Sequence, residues 1–261
     1  RQPWGSDVLR AKKYQLRGLR KLVQKSNWVT CTQGSRFEKD IVTLLDIPKE
    51  KLYNLPIGIA SIDEILSRPF ITDEQAKRVW GFEGKYVIVI GYNGSPAHNH
   101  IKVIKSLVFM KKQLPTNTIL VCPMTYGGNP VYRKKIKRLL WNSQFENQIL
   151  ENYLTAEELV CLRKATDLFI HAQNTDANSG TIAEYLLCRK KIVNPTWITY
   201  PHYETYGSPF YSFSNFEELP QAIMKAINDT SNKVSPLLTG NISESGWSKL
   251  ACKWVELYKK Y

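Results

Sequence analysis

The sequence predicts an α/β protein: a doubly wound parallel sheet, preceded by a partial second α/β segment at the N-terminus. Two observations favour this class. Short apolar runs alternate with helical patterns along most of the 261 residues, which is typical of strand–helix–strand units. Residues 85–91 are apolar at nearly every position, as expected for a central parallel strand that is buried on both faces.

The N-terminal third is expected to contain two strands and three helices. Ser35 is suited to cap one of the helices, because its side-chain oxygen can accept a hydrogen bond from a free backbone N–H group. The predicted strands span residues 28–32 and 51–55, and the predicted helices span residues 8–24, residues 36 to about 45, and a short segment after Thr72.

The remainder of the chain continues the alternation beyond the strand at residues 85–91. Further strands are predicted at residues 118–122, 147–150, 168–172 and 192–194. Helices are predicted around residues 101–108 and at residues 130–142, 156–165, 181–188, 216–228 and 247–261. In a parallel sheet of this kind, ligands bind at the carboxyl ends of the strands near a topological switch point.

The composition has one unusual feature, a formal net charge of +13. Basic residues concentrate at residues 10–25 and 133–138, and Arg10, Lys13, Arg17 and Lys21 are expected on one helical stripe. A solvated helix face and an anionic membrane surface both fit this excess. No helix-turn-helix, zinc-finger or aromatic-basic RNA pattern is present, so we do not predict a nucleic-acid partner.

The five cysteines are widely separated and form no C-x-x-C pair. Their apolar surroundings predict buried, reduced thiols in a cytoplasmic protein, and we predict no metal site. No apolar stretch approaches the roughly 20 residues of a membrane span, and no signal-peptide hydrophobic region is present.

Three loops that follow strands carry the candidate binding residues. In the first, Gly91 and Gly94 permit close backbone approach, whereas the remaining polar residues supply donors for phosphate or sugar oxygens; these are Asn93, Ser95, His98, Asn99 and His100. A surface loop with incidental histidines is the alternative, and a metal is disfavoured because no acidic partner is near. The second loop contributes Tyr126 and Gly127 and precedes a basic helix. The alternative is a long crossover loop without a binding role, followed by a solvated helix.

The third loop runs from Asp176 to Glu184 and contains Asn178, Ser179, Gly180 and Thr181. Free backbone N–H groups at the start of a helix favour an anion, and the two carboxylates would flank it as acceptors for hydroxyl groups. A nucleotide-sugar combines phosphate and hydroxyl groups in this way. The alternative is a polar turn that only connects a strand to a helix.

A fourth element precedes the predicted helix at residues 156–165. Thr155 and Glu158 have the spacing of a capping box, and the backbone at Leu154 and Thr155 is expected to contact a base edge beside the sheet.

These segments resemble glycosyltransferases of the GT-B type. Residues 154–159 (LTAEEL) and 165–170 (ATDLFI) are similar to the family's base-contacting loop, helix and strand. Asp176 and Glu184 resemble the E-x7-E pattern of the retaining group, with Asp in place of the first Glu. The resemblance implies that Glu184 binds the ribose, that the intervening backbone binds the diphosphate, and that Asp176 contacts the donor sugar. Among catalytic candidates we also count His98 and His100.

The first two loops are more similar to another branch, the transferase that adds a fucosamine-type sugar to lipid-linked enterobacterial common antigen. That branch has no E-x7-E pattern, so the resemblance leaves retention or inversion of the sugar's configuration open.

The resemblance further implies a domain organisation. Residues 1–58 correspond to the tail of an acceptor-side domain, on the resemblance of residues 4–7 and 54–58; residues 59–245 form the donor-binding domain, and residues 246–261 a helix that crosses back. The chain would thus lack most of the acceptor domain and be inactive in transfer by itself.

The function implied is sugar transfer in bacterial surface-glycan synthesis, from a UDP, GDP or dTDP sugar to a glycan or lipid-linked acceptor. No D-x-D pattern occurs, in keeping with the metal-independent chemistry of the GT-B type, and no cofactor is predicted. The enzyme would be cytoplasmic, with peripheral attachment to the inner face of the membrane. The alternative function is a non-catalytic module that binds a nucleotide-sugar or a polyanion.

Overall fold

The computed structural model describes residues 8–32 and 35–260. At the N-terminus, strands β1 (Val29–Cys31) and β2 (Leu52–Asn54) pair in parallel, with Val29 opposite Leu52. Helix α2 (Arg36–Leu45) connects them, and helix α1 (Lys13–Gln24) packs on α2. Ile41 and Leu45 of α2 lie in the small core that this segment shares with Val23 and Val29.

The main sheet has six strands, all parallel, in the order β5-β4-β3-β6-β7-β8. This arrangement confirms the predicted α/β fold with a doubly wound parallel sheet. The strands are β3 (Tyr86–Ile90), β4 (Thr118–Pro123), β5 (Glu146–Leu150), β6 (Leu168–Ile170), β7 (Lys191–Pro195) and β8 (Phe210–Phe213).

Helices cover both faces of this sheet. They are α3 (Ala60–Leu66), α4 (Asp73–Trp80), α5 (His100–Phe109), α6 (Pro130–Asn142), α7 (Ala156–Ala165), α8 (Gly180–Leu187), α9 (Pro201–Glu204), α10 (Leu219–Asn228), α11 (Pro236–Ser243) and α12 (Trp247–Lys259). Strand β3 shows how the two layers arise, because alternate side chains point to opposite faces. Val87 and Val89 join one core with residues of α7 and α8, whereas Ile88 and Ile90 join the other with residues of α5, α6 and α10.

The strand order reverses between β3 and β6. From β3 the chain moves outward through β4 to β5, then returns to β6 and continues in the opposite direction to β8. The loops that follow β3 and β6 therefore diverge at the carboxyl edge of the sheet and leave a crevice, which is where ligands bind in folds of this kind.

The helix caps predicted at Ser35 and Thr155 are confirmed. Ser35 accepts a hydrogen bond from the backbone N–H of Glu38, and Thr72 and Thr155 each form a capping box.

Three α-helices and one strand of the described residues were not predicted from the sequence: α3, α9, α11 and β8. Helix α3 begins at Ala60, and the preceding residue is Ile59, whose side chain makes no capping hydrogen bond, so no start signal is present there. Strand β8 is only four residues long and follows the turn-forming Gly207 and Pro209.

The predicted continuous helix over residues 8–24 is wrong. Lys12 has extended backbone angles (φ −74°, ψ 158°), and α1 begins only at Lys13. Arg10 therefore does not belong to the basic stripe that Lys13, Arg17 and Lys21 form on α1. Residues 4–7, on which part of the domain prediction depended, lie outside the described residues, and the division at residues 58 and 245 stays a prediction.

The cysteine prediction is correct only in part. Cys31, Cys122 and Cys161 are buried free thiols, Cys188 is half-buried, and Cys252 is exposed on α12. Within residues 8–32 and 35–260, no helix is long and apolar enough to cross a membrane.

Candidate functional site

A polar cleft of about 610 Å³ lies at the switch point, within the roughly 300–1,000 Å³ range of small-molecule sites. All three predicted loops contribute to it, together with a segment from the N-terminus. The lining residues are Leu9, Arg10, Tyr92, Asn93, Ser95, Tyr126, Gly127, Gln173, Thr175, Asp176, Ala177, Asn178, Ser179, Gly180, Thr181 and Glu184.

A larger groove of about 1,070 Å³ lies elsewhere, against α12, and includes Trp28, Trp247 and Trp254. Its lining is mostly apolar and contains none of the predicted site residues. The cleft at the switch point combines the expected position with convergent polar groups, so we take it as the candidate site.

The first two loops are joined through their backbones. The N–H of Gly94 donates to the C=O of Tyr126 at 2.7 Å, and the Oδ1 of Asn93 accepts from the N–H of Ser95 at 2.8 Å. A Cβ atom on Gly94 would lie 2.8 Å from the carbonyl oxygen of Gly127, and one on Gly128 only 2.1 Å from that of Gly94. Glycine is therefore required at these positions because the two backbones touch.

Asn99 links the first loop to the third. Its side-chain amide donates to the carbonyl oxygen of Ala172 at 2.8 Å and to the Oδ1 of Asn174 at 2.7 Å. Asn99 does not line the cleft, so the structure places this predicted site residue between the loops.

His98 and His100 are buried beneath the first loop and do not line the cleft. Burial lowers the pKa of His98 to about 2, helped by the nearby His100, and lowers the pKa of His100 to about 4. Both rings are thus neutral near pH 7. The Nδ1 of His100 lies 3.1 Å from the hydroxyl of Tyr132.

Gly91 has a positive φ of 63°, and a Cβ there would lie 3.0 Å from the Nε2 of His100. The backbone of the loop therefore rests directly on these histidines. This position indicates that His98 and His100 support the loop. The catalytic role predicted for them stays a prediction.

Asp176 lines the cleft with its carboxylate held in place by two donors, the hydroxyl of Tyr200 and the N–H of Ala177, and with the ring of His171 beside it. Its Oδ2 accepts from the hydroxyl of Tyr200 at 2.7 Å and lies 3.3 Å from the Nε2 of His171, while its Oδ1 accepts from the N–H of Ala177 at 2.8 Å. Burial raises the pKa of Asp176, but these partners outweigh it and hold the pKa below its ordinary value. Asp176 is therefore an oriented carboxylate, ionised at neutral pH.

The orientation of His171 is set on its other side by Asn194. The Nδ2 of Asn194 donates to the carbonyl oxygens of Pro195 at 3.0 Å and Ile198 at 2.8 Å, so its Oδ1 faces the Nδ1 of His171 at 2.8 Å. Nδ1 therefore carries a proton, and Nε2 is the ring atom directed at Asp176.

Glu184 lies on the first turns of α8 and lines the cleft, but its carboxylate already has two partners. Its Oε1 accepts from the hydroxyl of Ser61 on α3, and its Oε2 accepts from the Nε of Arg163 on α7 at 2.7 Å. Burial lowers the pKa of Arg163, but Tyr185 and Glu184 outweigh it and raise the pKa above its ordinary value. Arg163 therefore stays charged behind the site.

The first residues of α8 face the cleft between the two carboxylates. Ser179 precedes the helix without a side-chain capping hydrogen bond, and Gly180 and Thr181 begin it. Backbone N–H groups at such a helix start, with the positive end of the helix dipole, form a site for an anion. Asn178 is instead committed to neighbours: its side chain donates to the Oγ1 of Thr32 at 3.0 Å and lies 3.0 Å from the Nε2 of His202.

The site contains a cation that the sequence analysis assigned elsewhere. Arg10 donates from Nε to the Oγ1 of Thr175 at 2.9 Å and from Nη2 to its carbonyl oxygen at 3.0 Å. It is the sole Lys or Arg among the described residues that line the cleft. Arg10 and Thr175 are 165 positions apart, and no local pattern could have indicated their contact.

The segment expected to contact a base lies beside the cleft. Leu154 packs against the core, and Thr155 caps α7 through the N–H of Glu158. The exposed rings of Tyr126 and Tyr153 stack in parallel, with centroids 6.2 Å apart. Neither Leu154 nor Thr155 lines the cleft, so contact with a base stays a prediction. In the described part of the chain, no group of three or more His, Cys, Asp or Glu side chains is arranged to hold a metal ion.

Comparison with known proteins shows the same fold in glycosyltransferases. No family model matches the sequence, and no curated protein matches it. Among solved structures, a glycosyltransferase from Rickettsia africae superposes with a TM-score of 0.73 at 17% identity, covering 96% of this chain and 67% of that one. HepE of Anabaena, in complex with UDP and glucose, gives a TM-score of 0.74 at 16% identity, covering 100% and 71%.

A sucrose-phosphate synthase from Thermosynechococcus elongatus gives a TM-score of 0.69 at 15% identity, covering 98% of this chain and 63% of that one. At these identities the likeness establishes the fold alone. The present chain spans between 63% and 71% of the length of these three structures.

Proposed function

We propose that this chain is the donor-binding part of a glycosyltransferase. It would bind a UDP, GDP or dTDP sugar, from which the sugar passes to a glycan or lipid-linked acceptor in bacterial surface-glycan synthesis. One observation carries the proposal: the start of α8 opens into the cleft between Asp176 and Glu184, at the switch point of the sheet.

The diphosphate is assigned to the start of α8. As the sugar leaves, negative charge builds on the departing nucleoside diphosphate, and preorganised positive groups lower the barrier. The N–H groups of Gly180 and Thr181 are such groups, and the guanidinium of Arg10, which is held by Thr175, adds a formal positive charge to the same cleft. With these donors we propose a metal-independent transfer.

Glu184 is assigned to the ribose. A carboxylate oxygen can accept more than one hydrogen bond, so a ribose hydroxyl can join or replace the hydroxyl of Ser61. Arg163 fixes the carboxylate from behind. The role of Arg163 in this proposal is to position Glu184.

Asp176 is assigned to the donor sugar. The hydroxyl of Tyr200 holds the carboxylate, His171 lies beside it, and Asp176 lines the cleft at the start of the loop that leads to the diphosphate site. An ionised, oriented carboxylate there can accept a hydrogen bond from a sugar hydroxyl or stabilise positive charge at the reacting carbon. The structure of HepE with UDP and glucose, which has the same fold, supports a nucleotide-sugar ligand.

The native enzyme is proposed to act in the cytoplasm, at the inner face of the membrane, where a lipid-linked acceptor would reside. The competing proposal is a non-catalytic nucleotide-sugar-binding module with the same cleft.

Two measurements on one set of proteins separate these proposals. Calorimetry with UDP, GDP and dTDP tests binding, and release of nucleoside diphosphate from the matching nucleotide-sugar tests chemistry, in this chain and in a longer chain that supplies the acceptor side. For the enzyme we expect Asp176→Asn to retain nucleotide affinity within about threefold but to lower the rate at which nucleoside diphosphate is released from the nucleotide-sugar by about a hundredfold. Asp46→Asn, at an exposed helix end, is the matched control. Nucleotide binding without release of nucleoside diphosphate from the nucleotide-sugar, in either chain, favours the non-catalytic binding module.

A further inference from the structure

The outer surface of α5 and α6 is strongly basic. Residues 86–145, which include both helices, contain nine Lys or Arg residues and no Asp or Glu. On the described part of the chain, Lys105, Lys134, Lys135 and Arg138 are exposed and make no salt bridge with a carboxylate. This surface therefore holds unneutralised positive charge.

Large apolar side chains interrupt the same surface. On α6, Val131, Lys134, Arg138 and Trp141 follow one another at helical spacing on a single stripe, opposite the buried Leu140. Val131 is 78% exposed and Trp141 is 84% exposed. An apolar residue thus stands at each end of a basic stripe.

Helix α5 repeats this combination beside α6. Phe109, at its last position, is 83% exposed, and the exposed Lys105 and Lys112 flank it. Lys111 donates to the carbonyl oxygens of Ser143 at 3.2 Å and Gln144 at 2.6 Å, just beyond the end of α6. Since these hydrogen bonds bring the ends of the two helices together, Phe109 and Trp141 belong to one surface.

We propose that this surface, formed by the exposed residues of α5 and α6, docks on a membrane rich in anionic lipid. Lysine and arginine side chains are attracted to anionic headgroups, while Trp and Phe favour the interface between headgroups and acyl chains. A purely solvated basic face would not require an almost fully exposed Trp and Phe. A polyanion such as nucleic acid would match the charge but would leave Val131 and Phe109 without a partner.

The docked orientation places the cleft close to the lipid. Helix α6 begins at Pro130, immediately after the loop that contributes Tyr126 and Gly127 to the cleft. A helix of 13 residues is about 20 Å long. When the protein rests on the membrane through α6, the cleft therefore lies within one helix length of the bilayer. The proposal uses none of the cleft residues and holds whether or not the proposed function does.

This surface differs from the basic helix at the N-terminus. There, Arg10 is engaged with Thr175, and Arg20 donates to the carbonyl oxygen of Leu44 at 2.8 Å. The exposed Lys13, Arg17 and Lys21 on α1 lie near the exposed Tyr14 and Leu22, but this helix carries no Trp or Phe. They provide a charge-matched control.

Co-sedimentation with phosphatidylcholine vesicles containing increasing phosphatidylglycerol tests the proposal. We expect the triple variant Lys134→Gln/Lys135→Gln/Arg138→Gln to lower partitioning at about 30% anionic lipid by about tenfold. The control Lys13→Gln/Arg17→Gln/Lys21→Gln should change it by less than about twofold. Trp141→Ala should lower it by about threefold or more, and Trp141→Phe by much less, with thermal unfolding unchanged in all variants.

Three results would overturn the proposal. These are an equal loss of binding in the two triple variants, which would mean that only net charge matters; equal binding to vesicles of pure phosphatidylcholine; and retention on duplex DNA or heparin without vesicle binding.

Discussion

The Nε of Arg163 lies 2.7 Å from the Oε2 of Glu184, and both side chains are more than nine-tenths buried. The carboxylate assigned to the ribose therefore also neutralises a buried charge. Removal of one partner of such a pair costs about 3–5 kcal/mol, because the other charge is left uncompensated. Loss of ligand binding in a Glu184 variant would by itself not distinguish contact with the ribose from unfolding.

A double variant separates the two effects. We expect Glu184→Ala to lower the free energy of unfolding by about 3–5 kcal/mol. Removing Arg163 as well, in Glu184→Leu/Arg163→Leu, should recover most of that loss, as measured by urea unfolding. Affinity for the nucleoside diphosphate should nevertheless stay tens of fold below wild type, since a charge-assisted hydrogen bond is worth about 1.5–3 kcal/mol. Wild-type affinity in the stable double variant would leave Glu184 with a structural role alone.

Arg10 should discriminate between ligands by their phosphate charge. If its guanidinium faces the diphosphate, Arg10→Ala will weaken binding of nucleoside diphosphates by about tenfold. Binding of the corresponding nucleoside should be almost unchanged, because the nucleoside carries no phosphate. Arg17→Ala, on the exposed face of α1, controls for net charge in the same calorimetric titrations. An equal effect of Arg10→Ala on nucleoside and diphosphate would contradict the assignment.

The buried histidines predict how stability depends on pH. Burial lowers the pKa of His98 to about 2 and the pKa values of His100 and His202 to about 4. Between these values and the ordinary value near 6.5, the unfolded chain binds protons that the folded chain does not. Stability is therefore complete above about pH 6.5 and falls as the pH decreases, by about 1.4 kcal/mol per pH unit for each histidine.

Urea unfolding between pH 4.5 and 7.5 measures this dependence. His100→Gln should reduce the slope by about one proton. A slope that is flat over this range in the wild-type chain would show that the rings are not held neutral.

The contact between Gly91 and the histidines makes a second stability prediction. Gly91 and Gly81 both have positive φ values, 63° and 68°, so an alanine at either position strains the backbone. Only at Gly91 would the added methyl group also contact His98 and His100. A Cβ atom on Gly81 would have no other atom within 4 Å. We expect Gly91→Ala to cost at least about 1 kcal/mol more than Gly81→Ala in chemical denaturation. Equal costs would mean that the loop does not rest on the rings.

The sequence was sufficient to predict the parts of the site that depend on local pattern. The apolar run at β3, the cap at Thr155 and the small polar residues before α8 each identify an element by itself, and the parallel sheet brings the loops to one edge. The contacts between distant segments were not predictable. Helix spacing and residue type carry no information about which buried cation will face Glu184.

The positions of Arg10, His98 and His100 could not be predicted for the same reason, because each depends on contacts between distant segments. Arg10 continued the basic periodicity of α1, but the extended backbone at Lys12 directs it to Thr175 instead. His98 and His100 come shortly after Gly91 and Gly94 in a loop that follows a strand, a position from which histidines can donate to a phosphate. Their burial depends on how that loop folds back over β3, which is a tertiary property.

The central claim is that the start of α8 binds the phosphates of a nucleotide. The most direct measurement is a titration of the ¹⁵N-labelled chain with UDP, GDP and dTDP, followed by transverse-relaxation-optimised NMR of the backbone amides. We expect at least one of the three to shift the amide signals of Gly180 and Thr181 saturably, together with signals from the loops after β3 and β4. The account would be contradicted if none of the three shifts these amides, or if the shifts are confined to the apolar groove around Trp28 and Trp254.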